Sequence, residues 1–142
     1  DNPNRICGLC ELQFDVRPLP GMSLENIRQD ITQALSGIEQ QFGVSMLYEP
    51  AVTGSPAAET PADSPFVKKV EELTSELAGA VSFGTEAPYF TGQGMDTVIL
   101  GPGNIEQAHQ PDEYLEIKNL SPMVLLLNQL IDYYCVQGNA RF

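Results

Sequence analysis

The segment that decides how this chain folds covers residues 97–115 and reads Thr97-Val98-Ile99-Leu100-Gly101-Pro102-Gly103-Asn104-Ile105-Glu106-Gln107-Ala108-His109-Gln110-Pro111-Asp112-Glu113-Tyr114-Leu115. Its apolar start, residues 97–100, predicts a buried strand that ends at a Gly-Pro-Gly turn. The loop that follows holds His109, the single histidine of the chain. Loops beyond the carboxyl ends of strands often carry the functional residues of α/β proteins. His109 is therefore a candidate metal ligand or proton-transfer group, and the competing interpretation is a solvated histidine in a surface loop.

The bulk properties exclude several classes of partner and predict one location. The 142 residues suffice for one domain or two small pieces, and the net charge is −12. This charge argues against nucleic acid and anionic membranes as partners, because both require basic surfaces. No apolar run approaches the roughly 20 residues of a membrane span. The three cysteines form no disulfide framework, so we expect free thiols and a cytoplasmic location.

The first part of the chain is predicted to fold as strand, helix and strand. Alternating apolar and polar residues predict strands over residues 6–17 and 44–49. Between them, Ser23 is the expected N-cap of a helix and Gly43 its C-cap. The apolar stripe of this helix consists of Ile27, Ile31, Leu35, Ile38 and Phe42. A strand-helix-strand unit is typical of one part of a ferredoxin-like fold.

The second part of the chain is predicted to alternate helices with strands. A linker rich in proline and small residues covers residues 50–64, and we expect one domain over residues 1–55 and another over 56–142. One helix should begin with Ser64 as N-cap and end at Gly79, and another should begin with Ser121 as N-cap. Short strands are expected at residues 80–83 and 97–100. Residues 84–89 are expected to turn into a further helix start. The alternation favours parallel strands in an α/β layer.

Two other features are weaker candidates for chemistry. Cys7-Gly8-Leu9-Cys10 has CxxC spacing, but a zinc site needs about four ligands and a redox pair should open a helix. We therefore interpret this pair as accidental. Arg17 stands at the end of the first predicted strand, where its guanidinium is able to clamp a carboxylate. From the residues alone, a surface arginine paired with Asp15 or water is the favoured interpretation.

Several strings taken together resemble one family. They are Asn4-Arg5-Ile6, Phe14-Asp15-Val16-Arg17-Pro18-Leu19-Pro20-Gly21-Met22, Gly84-Thr85-Glu86-Ala87-Pro88-Tyr89, and the loop from Gly101 through His109 to Leu115. In order and approximate spacing they resemble the zinc-dependent amidohydrolases of the M20 metallopeptidase type. The resemblance covers nearly the whole chain, and the His109 loop is its most specific motif.

The resemblance implies a fold, a cofactor and partners. Members of this family are longer, and their catalytic domain is interrupted by a ferredoxin-like lid that mediates homodimerisation. This chain resembles the second half of the lid followed by the C-terminal segment of the zinc-peptidase-like α/β catalytic domain. The expected cofactor is a pair of zinc ions per complete subunit, with cobalt as a possible substitute. The expected substrate is a small N-acyl amino acid, which a metal-bound water attacks.

The resemblance also transfers roles to individual residues. His109 matches a zinc ligand, and Glu113 is expected to orient the loop or His109 itself. Four residues match positions that contact or line the substrate site: Asn4, Arg17, Gly84 and Thr85. The glutamate that acts as general base has no counterpart in this sequence, so no catalytic residue is expected here and the isolated chain should be inactive.

Three other readings of the function stay open on the sequence. Within the family, the strings favour an amino-acid deacetylase over a desuccinylase or a dipeptidase. Outside catalysis, the chain alone is expected to behave as a non-catalytic dimerisation or binding module. If the resemblance is ignored, the remaining interpretation is an acidic α/β interaction domain whose histidine loop is solvated.

Overall fold

The computed structural model describes residue 4 and residues 6–139, and it divides the chain into two compact units, Asp1–Ala57 and Ala58–Phe142. The α-helices of the described residues are α1 (Leu24–Phe42), α2 (Pro65–Thr74), α3 (Ala87–Thr91) and α4 (Leu120–Ile131). Two 3₁₀ turns, Ile105–Gln107 and Ile117–Asn119, and a π-helix, Asp132–Val136, complete them. The assignment of residues 1–55 to a lid and 56–142 to a catalytic domain stays a prediction.

Helix α1 has both of its predicted caps. The Ser23 hydroxyl accepts a hydrogen bond from the Asn26 N–H at 3.4 Å, which satisfies one of the unpaired donors of the first turn. At the other end Gly43 has φ +65°, and its N–H donates to the Glu39 carbonyl at 2.8 Å. A glycine adopts this left-handed conformation without steric cost, which is why the helix ends there. The Arg28 guanidinium donates to the Thr53 carbonyl.

Helix α2 begins where the sequence predicts but ends earlier. Ser64 is its N-cap, with Pro65 in the first turn. The helix ends at Thr74, because Ser75 turns left-handed with φ +59° and bonds through its N–H to the Glu71 carbonyl. The expected end at Gly79 is therefore wrong. The Glu71 carboxylate accepts from the Ala78 N–H at 2.9 Å, so a side chain stabilises the turn that replaces the last part of the predicted helix.

Helix α4 begins one residue before the predicted cap. The 3₁₀ turn Ile117–Asn119 leads directly into it, so Ser121 lies inside the first turn and is not the N-cap. Pro122 is still tolerated there, because the first N–H groups of a helix have no intrahelical partner. Helix α3 begins at Ala87, within the segment where the sequence predicts a helix start.

The best-buried side chains of the described residues lie in the second unit. Val67, Val70 and Ala87 are 3%, 6% and 8% exposed, and the Ser64 hydroxyl is the buried polar group. An aromatic contact joins α2 to the π-helix, since the rings of Phe66 and Tyr134 lie 5.6 Å apart in an edge-on arrangement. Helices α1 and α4 bury none of their residues, so their apolar stripes stay partly exposed.

The four predicted strands do not form in the part of the chain that the structure describes. A strand requires ladder hydrogen bonds to a second strand, and in two of the four segments side chains bond the backbone groups that a ladder would use. The Thr97 N–H and C=O both bond to the Thr60 hydroxyl, at 2.9 and 2.7 Å. The Met46 N–H donates to the Glu39 carboxylate at 2.7 Å. The strand predictions are therefore wrong for residues 6–17, 44–49, 80–83 and 97–100, and the described residues, which are helical and irregular, do not confirm the α/β class.

No helix of the described residues combines the length and the apolarity that crossing a bilayer requires.

Candidate functional site

The loop that carries His109 is a succession of tight turns. The Asn104 side chain accepts from the Glu106 N–H at 3.0 Å and so caps the 3₁₀ turn Ile105–Gln107. The turn closes when the Ala108 N–H donates to the Ile105 carbonyl at 3.0 Å. These bonds are local in sequence, and they fix the direction of the backbone where it enters His109.

His109 has a left-handed backbone, with φ +62°. In this region the β-carbon of a non-glycine residue approaches the following carbonyl oxygen, at a cost of about 1–2 kcal/mol. The His109 N–H donates to the Glu113 carboxylate at 3.1 Å, and the Glu113 N–H donates to the Gln110 carbonyl at 3.2 Å. Left-handed non-glycine residues are concentrated at binding sites and active sites. The geometry therefore favours a functional role for His109 over the interpretation as a solvated histidine in a surface loop.

The Glu113 contact has the form expected of a residue that orients the loop. The carboxylate receives the main-chain N–H of His109, which stabilises the left-handed turn. His109 itself is exposed, so its imidazole faces solvent and is accessible to a ligand. His109 and Glu113 are thus two predicted site residues that the structure brings together.

The described residues do not assemble a metal site by themselves. Zinc in proteins takes about four ligands, and even an open catalytic site uses three from the protein. No group of three or more His, Cys, Asp or Glu side chains suitable for a metal ion occurs within residue 4 and residues 6–139. His109 supplies one imidazole, so the donor set present here does not hold a zinc ion in either form of site.

Arg17 forms the ion pair that the sequence favoured on residue pattern alone. Its Nε donates to the Asp15 carboxylate at 2.6 Å, and the two side chains are 61% and 72% exposed. Exposed pairs of this kind contribute about 0.2–1 kcal/mol. Asn4, in the same unit, lies in an exposed turn.

Gly84 and Thr85 lie just before the first residue of α3. The Thr85 hydroxyl accepts from the Ala87 N–H at 3.1 Å, which caps the start of the helix. A β-carbon added at Gly84 would meet nothing within 4 Å, so packing within the chain does not require a glycine there. The open surface at Gly84 is available for a ligand to approach the backbone.

The three cysteines are free and exposed: Cys7, Cys10 and Cys135. Cys7 and Cys10 do not open a helix, since the segment around them has no regular secondary structure. This agrees with the interpretation of the CxxC spacing as accidental.

Sequence reasoning missed two features of the site. The left-handed backbone of His109 has only a weak local signal: histidine, like asparagine and aspartate, is enriched at positive φ, but that enrichment does not single out one position. The second is Asn119, whose side-chain amide donates to the Pro102 carbonyl at 2.9 Å across 17 residues of sequence. No periodicity or cap pattern predicts a contact of that range.

Comparison with known proteins identifies the family of the chain. The family model described as "Peptidase family M20/M25/M40" matches residues 13–133, a range that includes Arg17, Gly84, His109 and Glu113. The chain is 45% identical over 135 residues to an acetylornithine deacetylase of Edwardsiella ictaluri. It is 42% identical to proteins of the same name from Aliivibrio salmonicida and Vibrio cholerae. Each match covers 95% of this chain but 35% of the relative, so the chain spans about a third of their length.

Proposed function

The chain belongs to the peptidase family M20/M25/M40, and from that premise we propose that it is part of an acetylornithine deacetylase. The complete protein would hydrolyse N-acetyl-L-ornithine to acetate and L-ornithine, a step of arginine biosynthesis in the cytoplasm. The observation that carries the proposal is identity of 42–45% over 95% of the chain to relatives of that name. The predicted family is confirmed, whereas the reaction is our proposal.

Within this function, His109 is proposed as one ligand of a zinc centre. Its left-handed backbone and accessible imidazole support this role, since a ligand residue must be held in one direction. Because the described residues supply too few donors, the other ligands and the general base would come from a part of the protein outside this sequence. We therefore assign no hydrolytic step to the residues of this chain. Two zinc ions per complete subunit, with cobalt as a substitute, remain the proposed cofactor.

The remaining site residues are proposed to bind and orient the substrate. Arg17, whose guanidinium contacts the exposed Asp15 carboxylate, would bind the substrate carboxylate, and a bidentate arginine-carboxylate pair is among the stronger charge-assisted contacts. Asn4, Gly84 and Thr85 would line the substrate pocket. Positioning of this kind is able to contribute several kcal/mol to a barrier.

The proposal extends to fold and partners. Residues 1–55 would be part of a ferredoxin-like lid that mediates homodimerisation, and residues 56–142 the C-terminal part of an α/β catalytic domain. Two features support this: the division of the chain into two compact units, and the apolar stripes of α1 and α4 that the described residues leave partly exposed. The acidic balance of −12 supports a small-molecule substrate and no nucleic-acid or membrane partner.

A chimeric enzyme tests the proposal directly. The matched third of the Vibrio cholerae relative is replaced by this chain, and release of ornithine from N-acetyl-L-ornithine is measured together with zinc content. We expect hydrolysis and bound zinc from the chimera, and loss of both in its His109→Ala variant. The isolated chain should show neither. A parallel chimera with the same third of the Edwardsiella ictaluri relative establishes that the junction permits activity.

The test also separates the alternatives. Faster turnover of N-succinyl-diaminopimelate or of a dipeptide than of N-acetyl-L-ornithine would assign the chain to another member of the family. Unchanged zinc and activity after His109→Ala would remove His109 from the metal centre. A folded, dimeric chimera without hydrolase activity, beside an active parallel chimera, would indicate a non-catalytic dimerisation module.

A further inference from the structure

Asn119 uses its side chain in an unusual way for a residue at the start of a helix. It directly precedes α4, where asparagine commonly caps the first turn. Here its backbone is right-handed helical, with φ −83° and ψ −15°, and its side chain makes no cap hydrogen bond. Instead the amide donates to the Pro102 carbonyl at 2.9 Å, and both residues are half-buried. The Asn119 side chain therefore hydrogen-bonds to the loop and not to the first turn of the helix.

The bond joins the two ends of the segment that carries His109. Pro102 lies in the Gly-Pro-Gly turn before the loop, and Asn119 lies where the chain re-enters a helix. Asn119 is held in turn, since its own N–H donates to the Glu116 carbonyl at 2.9 Å. The contact thus closes residues 102–119 into a loop with a fixed base.

A small cavity lies beside this base. It has a volume of about 90 Å³, and its lining includes Asn104, Gln107, Tyr114 and Asn119. Asn119 and Pro102 also line a cleft of about 330 Å³ that is bounded by α2 and α4. The base of the loop therefore borders open space, and the hydrogen bond is one of the contacts that hold it.

We infer that Asn119 is a positioning residue that fixes the base of the His109 loop through Pro102. Any effect of Asn119 on metal or substrate binding rests on the proposed function. Its role in ordering the His109 loop does not. Without the bond, the ends of the loop would separate, and the short-range turns that hold His109 left-handed would open more often.

Two substitutions separate this role from support of the helix. Asn119→Asp cannot donate to Pro102, yet its charge at the start of α4 is favourable to the helix dipole. Asn119→Gln keeps the amide donor and is at least as good a helix former. Ser121→Asp, at an exposed position in the first turn of the same helix, is the matched control for the added charge.

The experiment is amide hydrogen exchange on the 142-residue chain, resolved by residue. Loss of one net hydrogen bond of about 1 kcal/mol should speed exchange of the Gln110 and Glu113 amides about fivefold in Asn119→Asp. Exchange in α4 from Val124 onward should stay within about twofold. Asn119→Gln and Ser121→Asp should leave the loop amides near the wild-type rate.

Three results would overturn the inference. They are unchanged loop exchange in Asn119→Asp, acceleration confined to α4, and acceleration of the loop by Asn119→Gln as large as by Asn119→Asp. If Asn119→Asp does not fold, the Gln variant decides: preserved loop protection supports the inference and lost protection refutes it. The readout needs no metal or substrate, so failure of the deacetylase proposal and failure of this one are distinguishable.

Discussion

The buried Ser64 hydroxyl makes two hydrogen bonds in the second unit, and its removal should lower the free energy of unfolding of that unit. Ser64 is 7% exposed and accepts from the Phe66 N–H at 3.1 Å, which caps α2. It also donates to the Asp96 carboxylate. One buried hydroxyl thus starts a helix and ties it to a segment 32 residues further along the chain.

The structure sets the size of the effect of Ser64→Ala. Loss of the cap costs about 1 kcal/mol. Loss of the bond to Asp96 adds about 1 kcal/mol, at the lower end for a charged partner, because Asp96 is exposed and water replaces the hydroxyl. We expect a decrease of about 2 kcal/mol in the free energy of unfolding of the second unit. The Asp96→Ala variant should lose only the second part.

Urea unfolding followed by near-ultraviolet circular dichroism measures this decrease. The signal includes Tyr133 and Tyr134, whose rings lie 4.9 Å apart within the second unit. A double-mutant cycle of Ser64→Ala with Asp96→Ala should return a coupling of about 1 kcal/mol. Ser121→Ala, at an exposed serine of the same unit, is the matched control and should change stability by less than about 0.5 kcal/mol. A coupling near zero, or equal losses in Ser64→Ala and Ser121→Ala, would refute the reasoning.

Three further predictions follow from backbone strain and from shifted ionisation. Replacing His109 by glycine should raise stability by up to about 1 kcal/mol in urea unfolding, because glycine adopts φ +62° without strain; a decrease would show that the loop is not strained. Lys68 holds the pKa of Glu71 below its ordinary value of 4.5, so the stability this carboxylate contributes is present above pH 4.5 and is lost as the pH falls through the lowered value. Glu71→Gln should therefore flatten the acid side of the pH–stability profile, and an unchanged slope would contradict the assignment. Burial raises the pKa of Tyr134 above 10.0, so its contribution is present below pH 10 and is lost as the pH rises through the raised value. Tyr134→Phe should remove the most alkaline phase of the absorbance titration at tyrosine wavelengths, and persistence of that phase would reassign it.

The sequence predicts best what depends on neighbouring residues. Ser23, Gly43 and Ser64 mark helix ends because each cap bond spans only two to four residues. The His109 loop was identified from its string of residues and from its family resemblance, which the match over residues 13–133 confirms. Local chemistry and whole-chain similarity thus located the helices and the candidate site.

The features that the sequence did not predict depend on distant partners. Alternation at residues 6–17 and 44–49 describes one face of a strand, but a ladder needs a neighbour, and the described residues pair none of these segments. The contact of Asn119 with Pro102 and that of Thr60 with Thr97 span 17 and 37 residues. Such contacts depend on which distant segments lie close together in the folded chain, and the spacing of residues in the sequence does not predict which segments those are.

The balance of energies at His109 explains why contacts at the base of the loop should govern its function. The left-handed backbone costs about 1–2 kcal/mol, and the exposed bond to Glu113 returns about 1 kcal/mol, so the two nearly cancel. The remaining turn bonds of the loop are local, so a contact of about 1 kcal/mol at its base, from Asn119, would shift the ratio of ordered to open loop about fivefold. A ligand that binds only the ordered loop would gain up to that same factor in apparent affinity. The residue inferred to fix the base of the loop is ten positions away from His109 in sequence, directly before α4.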